Sequence, residues 1–229
     1  MLSAGNRDSS CRAERRPERL IDEVRRGIPE RLGQLLESYR NYLRLLATTQ
    51  IDDKLRARVS PSDLVQETML GAYRDFAQFH GHSQRELLAW LRQILINRLH
   101  VFVQEHVLSA KRDVRREFSF NEIGVALARS SANLRDVRVL AGDAPSPCSD
   151  VIRRENSVVL ADQLANMTPL YRDVIVLRNL QGLSFDQVAR RLDRSCGATR
   201  MLWLRAIKQL RAIKQLRQQM GSESEVETP

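Results

Sequence analysis

Apolar residues recur three and four positions apart along most of the chain, as in Leu32, Leu35, Leu36, Tyr39, Leu43 and Leu46. With about 3.6 residues per helical turn, that spacing gathers them on one side of a helix, and no stretch of strict alternation competes for a strand. The pattern predicts an all-α protein of two small helical domains joined by a flexible linker. The first 18 residues are polar and Arg-rich and predict a disordered arm. A helical domain is expected over 19–117, broken at Ser60-Pro61-Ser62, where either serine can cap a helix and the proline fits its first turn. A second break is the polar loop His80-Gly81-His82-Ser83. Between 118 and 150 the periodicity fades into Gly142-Asp143-Ala144-Pro145-Ser146-Pro147, a linker composition. A second helical domain follows over 151–220, and 221–229 is an acidic tail. Residues 205–210, Arg-Ala-Ile-Lys-Gln-Leu, recur unchanged at 211–216. Six residues do not match a whole number of turns, so the repeat reads as a local duplication lengthening one helix.

Local chemistry divides the second domain further. Leu183-Ser184-Phe185-Asp186-Gln187 has the form of a capping box, with Ser184 as N-cap and Gln187 three positions on. Val188, Ala189 and Leu192 then make a buried face, Ala189 being small enough for a close helix crossing. Asp193-Arg194-Ser195 form a turn, and Ser195 can cap a second helix with Leu202, Trp203, Ala206, Ile207, Leu210 and Ile213 on its apolar side. This is the layout of a helix-turn-helix. Arg200, Met201, Leu204, Arg205 and Lys208 are its candidate DNA contacts, because the early residues of such a second helix reach base edges while flanking cations hold phosphates. An amphipathic hairpin with a solvated basic face is the plainer alternative.

Charge favours the first of these. The 229-residue chain carries a net charge of +9 and a pI of about 10.2, suited to a polyanion whose counterions are released on contact. Between 183 and 217 nine basic residues face two acidic ones. The three cysteines are scattered and form no CxxC pair, fitting reduced thiols rather than a disulfide frame or a zinc site. His80 and His82 lack further ligands nearby and read as surface residues. Neither a metal nor a cofactor is expected. There is no Gly-rich phosphate loop and no Ser/His/Asp order, so an enzyme, such as a helical nuclease, is the weakest reading. No apolar run approaches the roughly 20 residues that span a bilayer, and the N-terminus lacks a signal-peptide core. A cytoplasmic location without membrane insertion is the expectation.

Residues 167–178, with Gly182-Leu183-Ser184-Phe185 and Ser195-Cys196-Gly197 after them, resemble the fourth conserved region of bacterial RNA polymerase sigma factors. They look closest to the extracytoplasmic-function group of the sigma-70-like family. Upstream, Ser62-Asp63-Leu64-Val65-Gln66-Glu67-Thr68 is similar to that group's second-region signature, and Trp90, Leu91, Ile94 and Asn97 fall at the spacing of the segment that follows it. The resemblance implies a region-two domain that binds core RNA polymerase and the −10 element, and a region-four domain that reads the −35 element of promoter DNA. It also allows for an anti-sigma protein as a further partner.

Residue by residue, it implies polymerase contacts at Asp63, Leu64, Gln66 and Glu67. Asn97 would contact an unstacked base, and Arg112 and Arg115 the duplex near the −10 element. In region four Arg178, Arg200 and Arg205 would contact DNA. Phe76, Phe79 and Trp90 are read as packing residues. Thr199, Met201 and Leu202 depart from residues frequent in the group, so the docking of the helix carries over and its base preference does not. A stand-alone helix-turn-helix regulator is the competing function, and the acidic second-region segment, which such a regulator has no need of, argues against it.

Overall fold

The computed structural model describes residues 17–28, 30–51, 60–104, 137 and 150–223, and among these there is no strand. The N-terminal block contains α1 (Pro17–Arg25), α2 (Glu30–Glu37), α3 (Arg40–Gln50), α4 (Pro61–Asp75) and α5 (Gln84–Val103), with a 3-10 turn over Phe76–Gln78. The C-terminal block contains α6 (Asp150–Ala165), α7 (Pro169–Ile175), a π-helical turn over Val176–Leu180, α8 (Phe185–Arg191) and α9 (Cys196–Glu223). Residues 1–16, 105–136, 138–149 and 224–229 lie outside the described residues, Arg112 and Arg115 among them, while Pro17 and Glu18 of the expected arm open α1 and Asp150 of the expected linker opens α6.

The helix starts follow local side-chain chemistry. Ser60 caps α4, its Oγ accepting from the Ser62 N–H at 3.2 Å, with Pro61 in the first turn where no N–H is needed. Ser83 opens α5 through a full capping box with Glu86. The hydroxyl of Ser83 and the N–H groups of His82 and Ser83 all donate to Glu86 and hold its carboxyl below the usual range. The spacing Ser83-x-x-Glu86 was available to sequence reasoning as a helix start.

The stripe from Leu32 to Leu46 is buried throughout, although it crosses the turn at Ser38-Tyr39 between α2 and α3. Phe76, Phe79 and Trp90 pack against one another with ring centroids 5.1–6.1 Å apart, as core residues. At Gly71, a Cβ would stand 3.3 Å from Ile94 and from the Arg98 guanidinium, so glycine there lets α4 and α5 cross closely.

The two blocks also share a face. Helix α3 packs on α4 and α5 within its own block and on α6 and the π turn of the other, and the buried residues of both blocks form one continuous cluster. Hydrogen bonds join them as well: Asn41 Nδ2 donates to Asp162 Oδ1 at 2.9 Å, and Gln181 Nε2 donates to the Thr48 carbonyl at 3.1 Å. Helix α3 serves both sides because Tyr42, Leu43, Leu45, Leu46 and Ala47 are all buried, a stripe too wide for one neighbouring layer.

The duplication behaves as one lengthened helix. In the first copy Ala206, Ile207 and Leu210 are in the core. Six residues add about 600° of rotation, which turns the second copy by about 240° relative to the first. Ala212 and Leu216 accordingly face solvent, and only Ile213 packs partly against the core.

Candidate nucleic-acid interface

The turn before α9 is built by three short-range devices. Ser184 and Gln187 form the expected capping box at the start of α8, with Gln187 N–H donating to Ser184 Oγ at 3.2 Å and Ser184 N–H to Gln187 Oε1 at 2.8 Å. Asp193 adopts a left-handed conformation, φ 51, and the Arg194 N–H then closes back on the Ala189 carbonyl at 3.0 Å, as in a Schellman helix ending. Ser195 caps α9 by accepting from the Ala198 N–H at 3.2 Å. Val188 and Ala189 are buried beneath the crossing of α8 and α9.

The turn tolerates few residue types at Asp193. The left-handed region costs an ordinary L-residue about 1–2 kcal/mol, and a β-branched one is the worst placed. Asp193→Val is expected to lower the melting temperature measurably, whereas Asp193→Gly leaves it unchanged or higher. Equal destabilisation by both would show that the aspartate side chain, not its backbone conformation, is what the turn requires.

Helix α9 presents one continuous outer face. Met201, Leu204, Arg205 and Lys208 are all exposed and fall at i, i+3, i+4 and i+7. Arg200 stands at the edge of this face, its guanidinium 5.6 Å from the centroid of the Phe185 ring. Phe185 receives three neighbours: Arg200, the Arg178 guanidinium at 4.8 Å, and the Trp203 ring edge-on at 5.8 Å. Trp203 Nε1 in turn donates to Asn179 Oδ1 at 2.9 Å. Arg178 also donates to the Leu183 carbonyl at 2.9 Å. Its charge therefore braces the turn and is less open to solvent than that of Arg200, Arg205 or Lys208. The Cys196 thiol, at the first turn of α9, is pushed up by its hydrogen bond with Asp186 and is a poor nucleophile there.

The departures from the group's pattern sort themselves by burial. Thr199 is 0% exposed, its hydroxyl donating to the Ser195 carbonyl at 2.9 Å, and Leu202 packs partly against the core. Thr199 therefore offers a base no surface, and Leu202 only a part of its side chain. Of the three, Met201 alone faces outward.

In the N-terminal block, Asp63 and Gln66 are exposed on α4 and Glu67 is partly so. Leu64 must be taken off the list of expected contacts: its side chain is fully buried in the core and offers a partner no surface. Leu70 and Tyr73, each 52% exposed, extend the Asp63–Gln66 face at i+7 and i+10. The sequence reading passed over both, although large apolar side chains on the polar side of a helix were the signal. Asn97 is exposed on α5, in line with Trp90 and Gln93, and Gln93 Nε2 donates to its Oδ1 at 3.0 Å. No cluster of three metal-ligating side chains occurs among the described residues, and none of their helices is long and apolar enough to cross a membrane.

Residues 157–210 match the family described as sigma-70, region 4. The chain is 25% identical over 187 residues to the ECF RNA polymerase sigma-E factor of Haemophilus influenzae, an alignment covering 82% of this chain and 89% of that protein. It is 26% identical over 191 residues to the ECF RNA polymerase sigma factor BldN of Streptomyces coelicolor, covering 83% of this chain and 63% of that protein. A chain of the solved RsbN–BldN complex is 22% identical over 84% of this chain and 98% of its own length, with a TM-score of 0.27.

Proposed function

We propose that this chain is a sigma factor of the extracytoplasmic-function group, which binds core RNA polymerase, directs it to promoters and initiates transcription there; its match to sigma-70 region 4 and its likeness to two ECF RNA polymerase sigma factors support this. The observation that carries this reading furthest is the exposed face of Arg200, Met201, Leu204, Arg205 and Lys208 on the second helix of a well-formed helix-turn-helix. In this proposal α6 to α9 form the region-four domain that reads the −35 element, with α9 in the major groove and cations at its edges on phosphates. Residues 19–117 form the region-two domain. Its α4 face, with Asp63, Gln66 and Glu67 joined by Leu70 and Tyr73, docks on the polymerase, and Asn97 meets a base of the opened −10 strand. Arg178 adds a DNA contact beside α9, its guanidinium held on the Leu183 carbonyl in the turn that opens α8. The factor performs no chemistry of its own and works in the cytoplasm, beside the polymerase.

The test is reconstitution of the purified chain with core polymerase and promoter-bearing DNA, expecting start-site-specific transcripts that neither component gives alone. Tight, sequence-specific binding that ignores polymerase would overturn the proposal in favour of a stand-alone regulator. Within the reconstituted system, Arg200→Ala should weaken promoter binding by about 1–3 kcal/mol while polymerase binding is unchanged. Equal loss of both would make Arg200 a structural residue.

A further inference from the structure

Met201 and Leu204 are an anomaly on a face otherwise suited to phosphates. They are 52% and 53% exposed, three residues apart, with Arg205 and Lys208 completing the same face and Arg200 at its edge. One turn before Met201 stands Gly197, with no atom within 4 Å of the place its Cβ would occupy, so the first turn of α9 keeps a low profile toward an approaching surface. The surrounding charge selects the occupant. With nine basic residues against two acidic over 183–217, the face suits a polyanion rather than an ordinary protein surface.

In the major groove, guanine, cytosine and adenine show donors and acceptors, while thymine alone adds an apolar group, the 5-methyl. We infer that Met201 and Leu204 read thymine methyl groups, and hence that the upstream element bound by this chain carries thymine beneath the second and third turns of α9. Arg200, Arg205 and Lys208 flank those contacts and hold phosphates or neighbouring bases. The side chains that set this preference are two of the exposed ones, since buried Thr199 contributes nothing to it. The inference rests on reading α9 as the DNA-facing helix.

Core polymerase reconstituted with the full chain would be used to select duplexes from a library randomised over the upstream element. The enriched duplex is then remade with deoxyuridine for each thymine, which deletes the methyl group and leaves every hydrogen-bonding edge in place. Enrichment of thymine is expected, with binding weakened about fourfold for each contacted methyl removed. Met201→Ala and Leu204→Ala should each bind thymine and deoxyuridine duplexes alike at one position. An enriched element without thymine, no deoxyuridine effect on the unaltered protein, or an undiminished effect in both variants would overturn the inference. Arg200→Ala separates the two layers. If it weakens binding while methyl removal does not, the DNA-reading role of α9 stands and the thymine preference falls. If Arg200→Ala changes nothing, the role of α9 falls as well.

Discussion

Leu43→Ala is expected to lower the free energy of unfolding by about 2–5 kcal/mol, the cost of removing buried methyl groups plus the cavity they leave. Leu43 is fully buried on α3, the helix on which α4 and α5 rest from one side and α6 and the π turn from the other. The loss should appear in one cooperative transition that reports both blocks, since their buried residues form one cluster. Urea unfolding followed by tryptophan fluorescence checks this, because Trp90 and Trp203 lie in different blocks. Leu216→Ala, at a residue 59% exposed, supplies the control and should stay within about 0.5 kcal/mol of the parent. Two separate transitions, with only the Trp90 signal displaced in Leu43→Ala, would show that the contact of α3 with α6 adds little to stability.

The largest effect on partner binding is expected from Leu70→Ala combined with Tyr73→Ala. Exposed apolar and aromatic side chains that become buried at the centre of an interface dominate binding energy, and truncating such residues costs about 2–4 kcal/mol. That corresponds to roughly 30- to 1,000-fold in the dissociation constant for core polymerase. Asp63→Ala with Glu67→Ala should cost less and depend more on salt, because charges that remain near solvent are screened. Titration of labelled chain with core polymerase at two ionic strengths measures both. A double loss at Leu70 and Tyr73 smaller than that at Asp63 and Glu67 would place the centre of the contact on the acidic end of α4. Because Leu70 and Tyr73 are exposed, the double variant should stay folded, and a melting curve checks it.

What was legible in the sequence was mostly short-range. Ser184, Gln187, Asp193 and Ser195 act within five residues of themselves, through hydrogen bonds and backbone conformation, so their roles followed from residue type and spacing. The apolar stripe through α2 and α3 was equally plain, since one side of each helix has to be covered. Helix α4 was harder. Leu64, Val65, Met69, Leu70, Ala72 and Tyr73 surround much of its circumference, and only the arrival of α2, α3 and α5 decides that Leu64 is inside and Leu70 outside. A short signature such as Asp63-Leu64-Val65-Gln66 mixes core and surface residues, and resemblance carried both over as contacts. Thr199 was opaque for a related reason: a hydroxyl that donates to a carbonyl four residues back can be buried at small cost, and nothing in its neighbours says that it will be. The contact of α3 with α6 joins residues more than a hundred positions apart, beyond the reach of any periodicity.

The doubled hexapeptide of α9 has a consequence for how the gene can change. Tandem repeats gain and lose units when a replicating strand slips, and a six-codon unit does so without shifting the reading frame. Leu210 closes the first copy and is the last fully buried residue among the described side chains of α9, so a unit added or lost after it alters the exposed second copy and the partial packing of Ile213. The same slip a few turns earlier would swing Met201 and Arg205 out of line with α8 and abolish whatever they recognise. A change in the number of units after Leu210 would therefore alter the length of this helix and leave Met201, Leu204, Arg205 and Lys208 where they are.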